Sequence, residues 1–263
     1  MTPSGASAEK RERAEIVRSA EEAKRFTSVT IERAQVERYL TPAADTRYPL
    51  EYAYYLLGDV RGKTVVDLGC GKGENLIPLA ERGARVTGID ISPDLIQLAK
   101  KRIDLAGAGA RACVGSAYET GLEDGSVDVV FCIALIHHLE IPRVRDEMWR
   151  ILKIGGFVVL SEPIRFSRIY DRVRKLFPAR QNVSEFEHPL TEIEFAAINE
   201  RFVAEGQRYF RLPFVPLVER FILRSASPIA GKVSDLALRA FPPSKHLATK
   251  VVLKLIKKWI NAT

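Results

Sequence analysis

The sequence predicts an α/β protein built on a doubly wound, mostly parallel β-sheet. Two observations carry that prediction. Short β-branched apolar runs alternate with helix-like segments between residues 63 and 161, the pattern of βαβ units. Those runs are apolar at nearly every position, as in KTVVDLGC (63–70) and VDVVFCIA (127–134), which is how strands read when both faces of their sheet are covered.

The elements follow in order. Residues 1–8 carry no apolar pattern and read as disordered. Residues 9–40 are charged, with Ile16, Val17, Ala20, Ala23 and Phe26 near helical spacing, until Thr41-Pro42 ends the stretch. Arg47–Leu57 begins another helix, dense in tyrosine. Lys63–Cys70 is the first strand, and residues 74–82 a helix whose early turns Pro78 perturbs. Arg85–Ile91 is the second strand. Ser92-Pro93 then supplies an N-cap and a proline at the first position of a helix over 93–106. Arg111–Ser116 and Val127–Ala134 are the third and fourth strands, 141–152 a helix, Gly155-Gly156 a turn and Phe157–Ser161 the fifth strand. After Glu162 the alternation weakens. Thr191–Arg201 reads as a helix and Val203–Leu212 as a strand. Residues 213–246 are proline-bearing, and Lys250–Lys258 is a strand or a helix, which periodicity does not separate.

Composition narrows the function classes. Hydrophobic content of 46% and charged content of 28% in 263 residues describe an ordinary globular chain. No apolar run reaches the roughly 18 residues of a membrane span, and the N-terminus has no apolar core for a secretory signal. Cys70, Cys113 and Cys132 are scattered and form no C-x-x-C pair. A reducing cytoplasm, no disulfide framework and no metal are therefore expected. Residues 163–263 carry 18 Lys/Arg against 9 Asp/Glu, a net +9, whereas residues 1–162 carry 22 against 24. A solvated basic face accounts for this; so does contact with nucleic acid, an anionic membrane or an acidic substrate.

The chemistry lies in Val65-Val66-Asp67-Leu68-Gly69-Cys70-Gly71-Lys72-Gly73. Glycines that follow a strand and open a helix let a ligand approach the backbone. The dinucleotide fingerprint is G-x-G-x-x-G; here the spacing is G-x-G-x-G, with Glu74 at the place of the last glycine. Asp67 at the mouth of the strand repels a pyrophosphate and suits an ammonium. Asp90 ends the second strand, 19 residues after Gly71, where a carboxylate accepts from both ribose hydroxyls. Together these describe a nucleoside with a positive amino-acid tail and no phosphates, which S-adenosylmethionine (SAM) fits.

The stretch VVDLGCGKGENLIPLAERGARVTGIDIS resembles the opening of class I SAM-dependent methyltransferases, in their broad small-molecule group with a type 11-like domain. The likeness continues through GSAYETGLEDGSVDVVFCIALIHHLE and ILKIGGFVVLSEP, over roughly residues 60–165. It implies a Rossmann-like, seven-stranded sheet with an N-terminal helical cap (1–58), a SAM-binding core (59–165) and a C-terminal part (166–263) carrying a substrate-cap insertion around 213–246. It further implies that Gly69, Cys70, Gly71 and Gly73 form the loop under the methionine part. Asp67 holds the amino group directly or through water, Asp90 binds the ribose and Ile91 lies against the adenine. Ser116-Ala117 flank the adenine edge, and Ile133 and Ala134 approach the methionine and the sulfur. Many relatives carry an aspartate at the place of Ser116, touching the adenine amino group; here a serine hydroxyl is left to accept that bond.

Candidates on the acceptor side are His137 and His138 as base or acceptor-orienting groups, with a structural histidine pair as the alternative. Glu162 at the end of the fifth strand and His188 in EFEHPLT are further candidates. Tyr52, with Tyr48 and Tyr55, forms a lid or packs the N-terminal helix. The expected acceptor is a small molecule, lipid-like ones included. A nucleic-acid methyltransferase is disfavoured, because Cys132-Ile133-Ala134-Leu135 stands where base-directed amino methyltransferases carry (Asn/Asp)-Pro-Pro-aromatic. A binding protein without transfer activity is the alternative from another class. The apolar-basic segments PFVPLVERFILR (213–224) and KVVLKLIKK (250–258) also admit a weak peripheral membrane contact.

Overall fold

The computed structural model describes residues 6–26, 32–167, 188–212 and 228–258. Its centre is a sheet of seven strands: β1 (Thr64–Leu68), β2 (Arg85–Asp90), β3 (Ala110–Val114), β4 (Val127–Ile133), β5 (Leu152–Pro163), β6 (Phe202–Phe210) and β7 (Lys250–Lys257). Their order is β3-β2-β1-β4-β5-β7-β6. The first five are parallel, and β7 runs antiparallel to both of its neighbours, β5 and β6. The chain order reverses between β1 and β4, so the ligand crevice belongs at the carboxyl ends of β1, β2 and β4.

Both faces of the sheet are buried, which explains the nearly continuous apolar strands. Val66, Leu68, Val130, Cys132, Val158 and Leu160 face one core. Val65, Val129, Phe131, Phe157 and Val159 face the other. The helices are α1 (Ala6–Ala23), α2 (Arg33–Leu40), α3 (Pro49–Leu57), α4 (Leu76–Glu81), α5 (Pro93–Ala106), α6 (Ile141–Ile151), α7 (Glu192–Asn199) and α8 (Pro228–Ala240). Helix α3 packs on β5 and β7, and α1 packs on α5.

The expected cap of α5 is present: the Ser92 hydroxyl accepts the Leu95 N–H with Pro93 at the first helical position. Thr191 and Glu194 form a reciprocal capping box on α7. Pro78 falls in the first turn of α4, where its missing N–H leaves no bond unmade. Three expectations are corrected. Residues 6–8 are helical rather than disordered, because Ala8 is buried against the core. The 9–40 stretch is two helices, α1 and α2, not one. Gly155-Gly156 is not a turn before β5 but an irregularity inside it. Pairing with β4 jumps from Val127↔Leu152 to Val129↔Phe157, and Gly155 takes φ +75°, as a bulge requires. Lys250–Lys257 is a strand, buried on both faces between β5 and β6. The segment 213–224 lies outside the described residues; of the expected insertion around 213–246, residues 228–246 are described and carry α8. No helix among the described residues is long and apolar enough to cross a membrane.

Candidate functional site

Two adjoining clefts open at the carboxyl edge of the sheet and share Glu22, Gly69, Gly71, Leu95 and Ala134. The first, about 920 Å³ and open to solvent, runs between α1 and the ends of β2, β3 and β4. The second, about 1100 Å³, runs between Val36, Tyr39 and Leu50 on one side and the glycine loop with Asn75 on the other.

Asp67 is the penultimate residue of β1, just before the glycine loop; it is 1% exposed and lines neither cleft. Neither of its carboxylate oxygens completes a hydrogen bond of good geometry. Burial pushes its pKa up to about 8, Asp90 adds to the rise, and the Asn75 side chain partly offsets it. A dry carboxylate without a counter-ion is costly, and a ligand's ammonium relieves it. Asn75 is held in turn by the fully buried Tyr54, whose hydroxyl bonds its side-chain oxygen at 3.2 Å.

Asp90 borders the first cleft. Its Oδ2 accepts the Gly71 N–H at 2.8 Å and its Oδ1 the Ser92 N–H at 2.9 Å. Each oxygen keeps a further lone pair for a ribose hydroxyl. Burial raises its pKa, the two backbone bonds oppose the rise, and Glu15 and Glu22 add to it. The glycines divide the labour. Gly71 has φ +52° and open space where a Cβ would stand, so the backbone faces the cleft. Gly73 has φ +79° and a Cβ there would lie 2.8 Å from Ala99 Cβ, so it serves packing against α5. The Cys70 side chain packs toward Gly88 of β2, leaving only its main chain to the loop.

The turn after β4 is anchored from β5. Ala134 adopts φ +56°, uncommon for a residue with a Cβ, and lines both clefts, while Ile133 lines the second. Glu162, 1% exposed, accepts the Leu135 N–H at 2.9 Å and the Ile136 N–H at 3.1 Å through Oε1. Its Oε2 lies 2.7 Å from His137 Nδ1. Glu162 and His137 therefore form a buried clamp on the turn, and neither lines a cleft. His138 does line the first cleft, 3.7 Å from the Glu15 carboxylate. The histidine pair thus splits into a structural and a site-facing member.

Ile91 and Ala117 border the first cleft. Ser116 does not offer its hydroxyl to the cleft: it donates to Glu12 of α1 and accepts the Tyr118 N–H at 3.0 Å. Tyr52 lies away from both clefts, its ring 5.6 Å from those of Tyr55 and Phe210 and under the Arg208 guanidinium at 5.2 Å. It packs α3 on β6. Tyr48 stacks beneath Arg38 and Arg47, so these tyrosines are not a lid over the clefts. His188 also lines neither cleft and sits 3.6 Å from Glu194. Among the described residues no cluster of His, Cys, Asp and Glu suits a metal ion.

Sequence reasoning missed the α1 residues Arg11, Glu12, Glu15, Ser19 and Glu22, and also Tyr39 and Asn75. The signal for α1 was present: Glu12, Glu15, Ser19 and Glu22 recur every three or four residues, a polar stripe on one face.

Residues 66–160 match the family described as "Methyltransferase domain". Ubiquinone biosynthesis O-methyltransferase of Nitrosomonas europaea is 34% identical over 124 residues, 46% of this chain and 52% of that protein. Malonyl-[acyl-carrier protein] O-methyltransferase of Serratia marcescens is 28% identical over 141 residues, 51% of this chain and 52% of that protein. The chain thus spans about half the length of the curated relatives it matches. Among solved structures, geranyl diphosphate C-methyltransferase from Streptomyces coelicolor, in complex with geranyl diphosphate and S-adenosyl-L-homocysteine, superposes with a TM-score of 0.58 at 19% identity, over 81% of this chain and 80% of that one. At that identity the likeness is one of fold. Domain match and relatives agree: residues 66–160 carry a methyltransferase domain, and the chain is similar to O-methyltransferases over about half of its length.

Proposed function

We propose that this protein transfers a methyl group from SAM to a small-molecule acceptor and releases S-adenosylhomocysteine (SAH). The observation that carries the reading is Asp67, a buried carboxylate without a good partner, one strand away from Asp90 at the cleft edge. The residues fit the cofactor. Gly69 and Gly71 underlie its methionine part, Asp67 takes the ammonium directly or through water, and Asp90 takes the ribose. Ile91 and Ala117 flank the base, and Ile133 and Ala134 border the reacting end.

When bound, SAM supplies a sulfonium methyl that is already an activated electrophile. The protein's part is to hold the acceptor in line at about 3 Å and to exclude water. A base helps only for a hydroxyl or protonated-amine acceptor, and His138 is the histidine placed for it. Glu162 and His137 position the turn instead. The relatives' names, malonyl-[acyl-carrier protein] and geranyl diphosphate among them, support an acceptor of lipid-like character. Free Cys70, Cys113 and Cys132 support a cytoplasmic location. A membrane-facing role for 250–258 is disfavoured, because three of its four lysines are engaged. Lys254 pairs with Glu205 at 2.6 Å, Lys257 donates to the Leu152 carbonyl and Lys258 to the Asn199 carbonyl.

Calorimetric titration with SAM and SAH, beside Asp90→Ala, tests the reading. Micromolar binding that the variant loses supports it. No heat and no thermal shift with either ligand overturns it.

A further inference from the structure

We propose that Glu12, carried on α1, is the group that reads the 6-amino edge of the cofactor's purine, and that Ser116 positions it. The inference rests on the SAM reading above and adds a specificity-determining residue from outside the matched domain.

The first observation is the polar face that α1 turns to the cleft, while Val17 is 64% exposed. Arg11, Glu12, Glu15, Arg18, Ser19 and Glu22 line the cleft. Arg18 pairs with Glu15 and Glu22, whereas Glu12 accepts from the neutral Ser116 hydroxyl. A carboxylate held by a neutral donor keeps its charge available to a ligand that presents hydrogen-bond donors.

The second observation is where Glu12 stands. Asp90 marks the sugar end of the first cleft. Ile91 and Leu95 on one side and Gly115 and Ala117 on the other lie beyond it, at the ends of β2 and β3. That slot suits a flat base, and Ser116 sits between its last two members. The Ser116 hydroxyl proton goes to Glu12, and one of its lone pairs is taken by the Tyr118 N–H. The serine is thereby committed to orienting a carboxylate. The acceptor at the base edge is that carboxylate, which has about four lone-pair sites and no proton to give. It matches an exocyclic amino group and mismatches a purine that lacks one.

Arg11, the neighbour of Glu12 on α1, directs Nη1 to the His138 carbonyl at 3.2 Å, and Glu15 approaches the His138 ring. The same helix therefore contacts the turns after both β3 and β4, and its register along the cleft is set by polar bonds at two points.

Calorimetric binding of two ligands tests the proposal: SAH, and its analogue in which hydrogen replaces the 6-amino group. Wild-type protein should prefer SAH by about 10- to 100-fold, the range for a hydrogen bond to a charged group. Glu12→Ala should bring that ratio near one by weakening SAH while leaving the analogue unchanged. Ser116→Ala should give an intermediate ratio. Glu9→Ala, an exposed change on the same helix, should keep the wild-type ratio. If Glu12→Ala weakens both ligands equally, the carboxylate only anchors α1 and the proposal is overturned. A wild type that binds SAH without discriminating against the analogue also overturns it. A wild type that binds neither overturns the SAM reading and this proposal with it.

Discussion

Asp67→Asn keeps the shape of the side chain and removes its charge, and the structure assigns the consequence opposite signs for stability and for binding. Burial holds the Asp67 carboxyl at about 8 against an ordinary 3.8. Near neutral pH it is therefore mostly protonated in the folded protein and ionised in the unfolded chain. Between about pH 4 and 8 the unfolded state binds fewer protons, so stability falls as pH rises through that window and levels off above it. At about pH 7 roughly three pH units of that interval act, which corresponds to at most about 4 kcal/mol. Asparagine carries no such penalty, but a buried amide short of partners costs about 1–3 kcal/mol. The variant should gain on the order of 1–3 kcal/mol at pH 7 to 8, with each kcal/mol raising Tm by roughly 2–4 °C, and the gain should shrink towards pH 5. SAM affinity should fall by about 10- to 100-fold, the value of a charge-assisted bond to the ammonium. Wild-type affinity should itself be bell-shaped near pH 8: Asp67 ionises towards that pH, and an α-ammonium loses its proton around it. Thermal unfolding and calorimetric titration across pH 5 to 9 measure both effects. A variant that is less stable at pH 8 and binds SAM as the parent does would refute the assignment of Asp67 as the ammonium's partner.

Three other predictions follow from the same geometry. Glu162→Ala leaves the Leu135 and Ile136 N–H groups without their acceptor and should lower Tm by about 4–8 °C, from at least about 2 kcal/mol; an unchanged Tm contradicts the clamp. Gly73→Ala puts a Cβ 2.8 Å from Ala99 Cβ at φ +79°. It should cost about 2 kcal/mol or more, with partial recovery in the Ala99→Gly double variant as read by denaturant titration; no recovery would place the cost in backbone strain alone. His138→Ala should leave Tm within a few degrees and alter the pH profile of turnover on a hydroxyl acceptor, whereas His137→Ala should lower Tm, since it strips a buried carboxylate of its partner. Equal effects of the two would remove the distinction drawn between them.

The sheet and its joints were legible because local chemistry and burial agree there. Ser92-Pro93 caps α5 as expected, and apolar runs covered on both faces became strands. The same coverage hid β7: with Val251, Val252, Leu253 and Leu255 all buried, the alternation that distinguishes a strand disappears, and only its pairing with β5 and β6 decides. Glu162 was legible in position but not in role. A strand end tells which edge of the sheet a carboxylate reaches, whereas its acceptance of two N–H groups from the turn after β4 is a long-range fact. For α1, apolar spacing located the helix and mistook its face. Val17 was a marker of the helix but is exposed, and the functional stripe is the charged one. The tyrosines misled because density of one residue type says nothing about which side of α3 each ring occupies.

The two sides of the first cleft are held by different physics, and this bears on how a ligand is accommodated. The sheet side is fixed before any ligand arrives. Ala134 is kept at a positive φ by its N–H bond to the Ser161 carbonyl and by the Glu162 clamp on the next two residues. Asp90 already braces Gly71. Strain of about 1–3 kcal/mol at such a residue persists only where its surroundings over-determine it, and here strands buried at about 1.5–3 kcal/mol per large side chain do so. The α1 side has little of that. Ala8 is buried in the core, but the α1 residues at the cleft are all polar, each contact worth about 0.5–1.5 kcal/mol net. Affinity contributed by the sheet edge therefore needs little reorganisation, while whatever α1 contributes depends on ordering the helix over the bound molecule. A residue on α1 that discriminates between ligands converts that ordering into specificity, since a base it cannot hydrogen-bond leaves the helix held only by its own polar contacts.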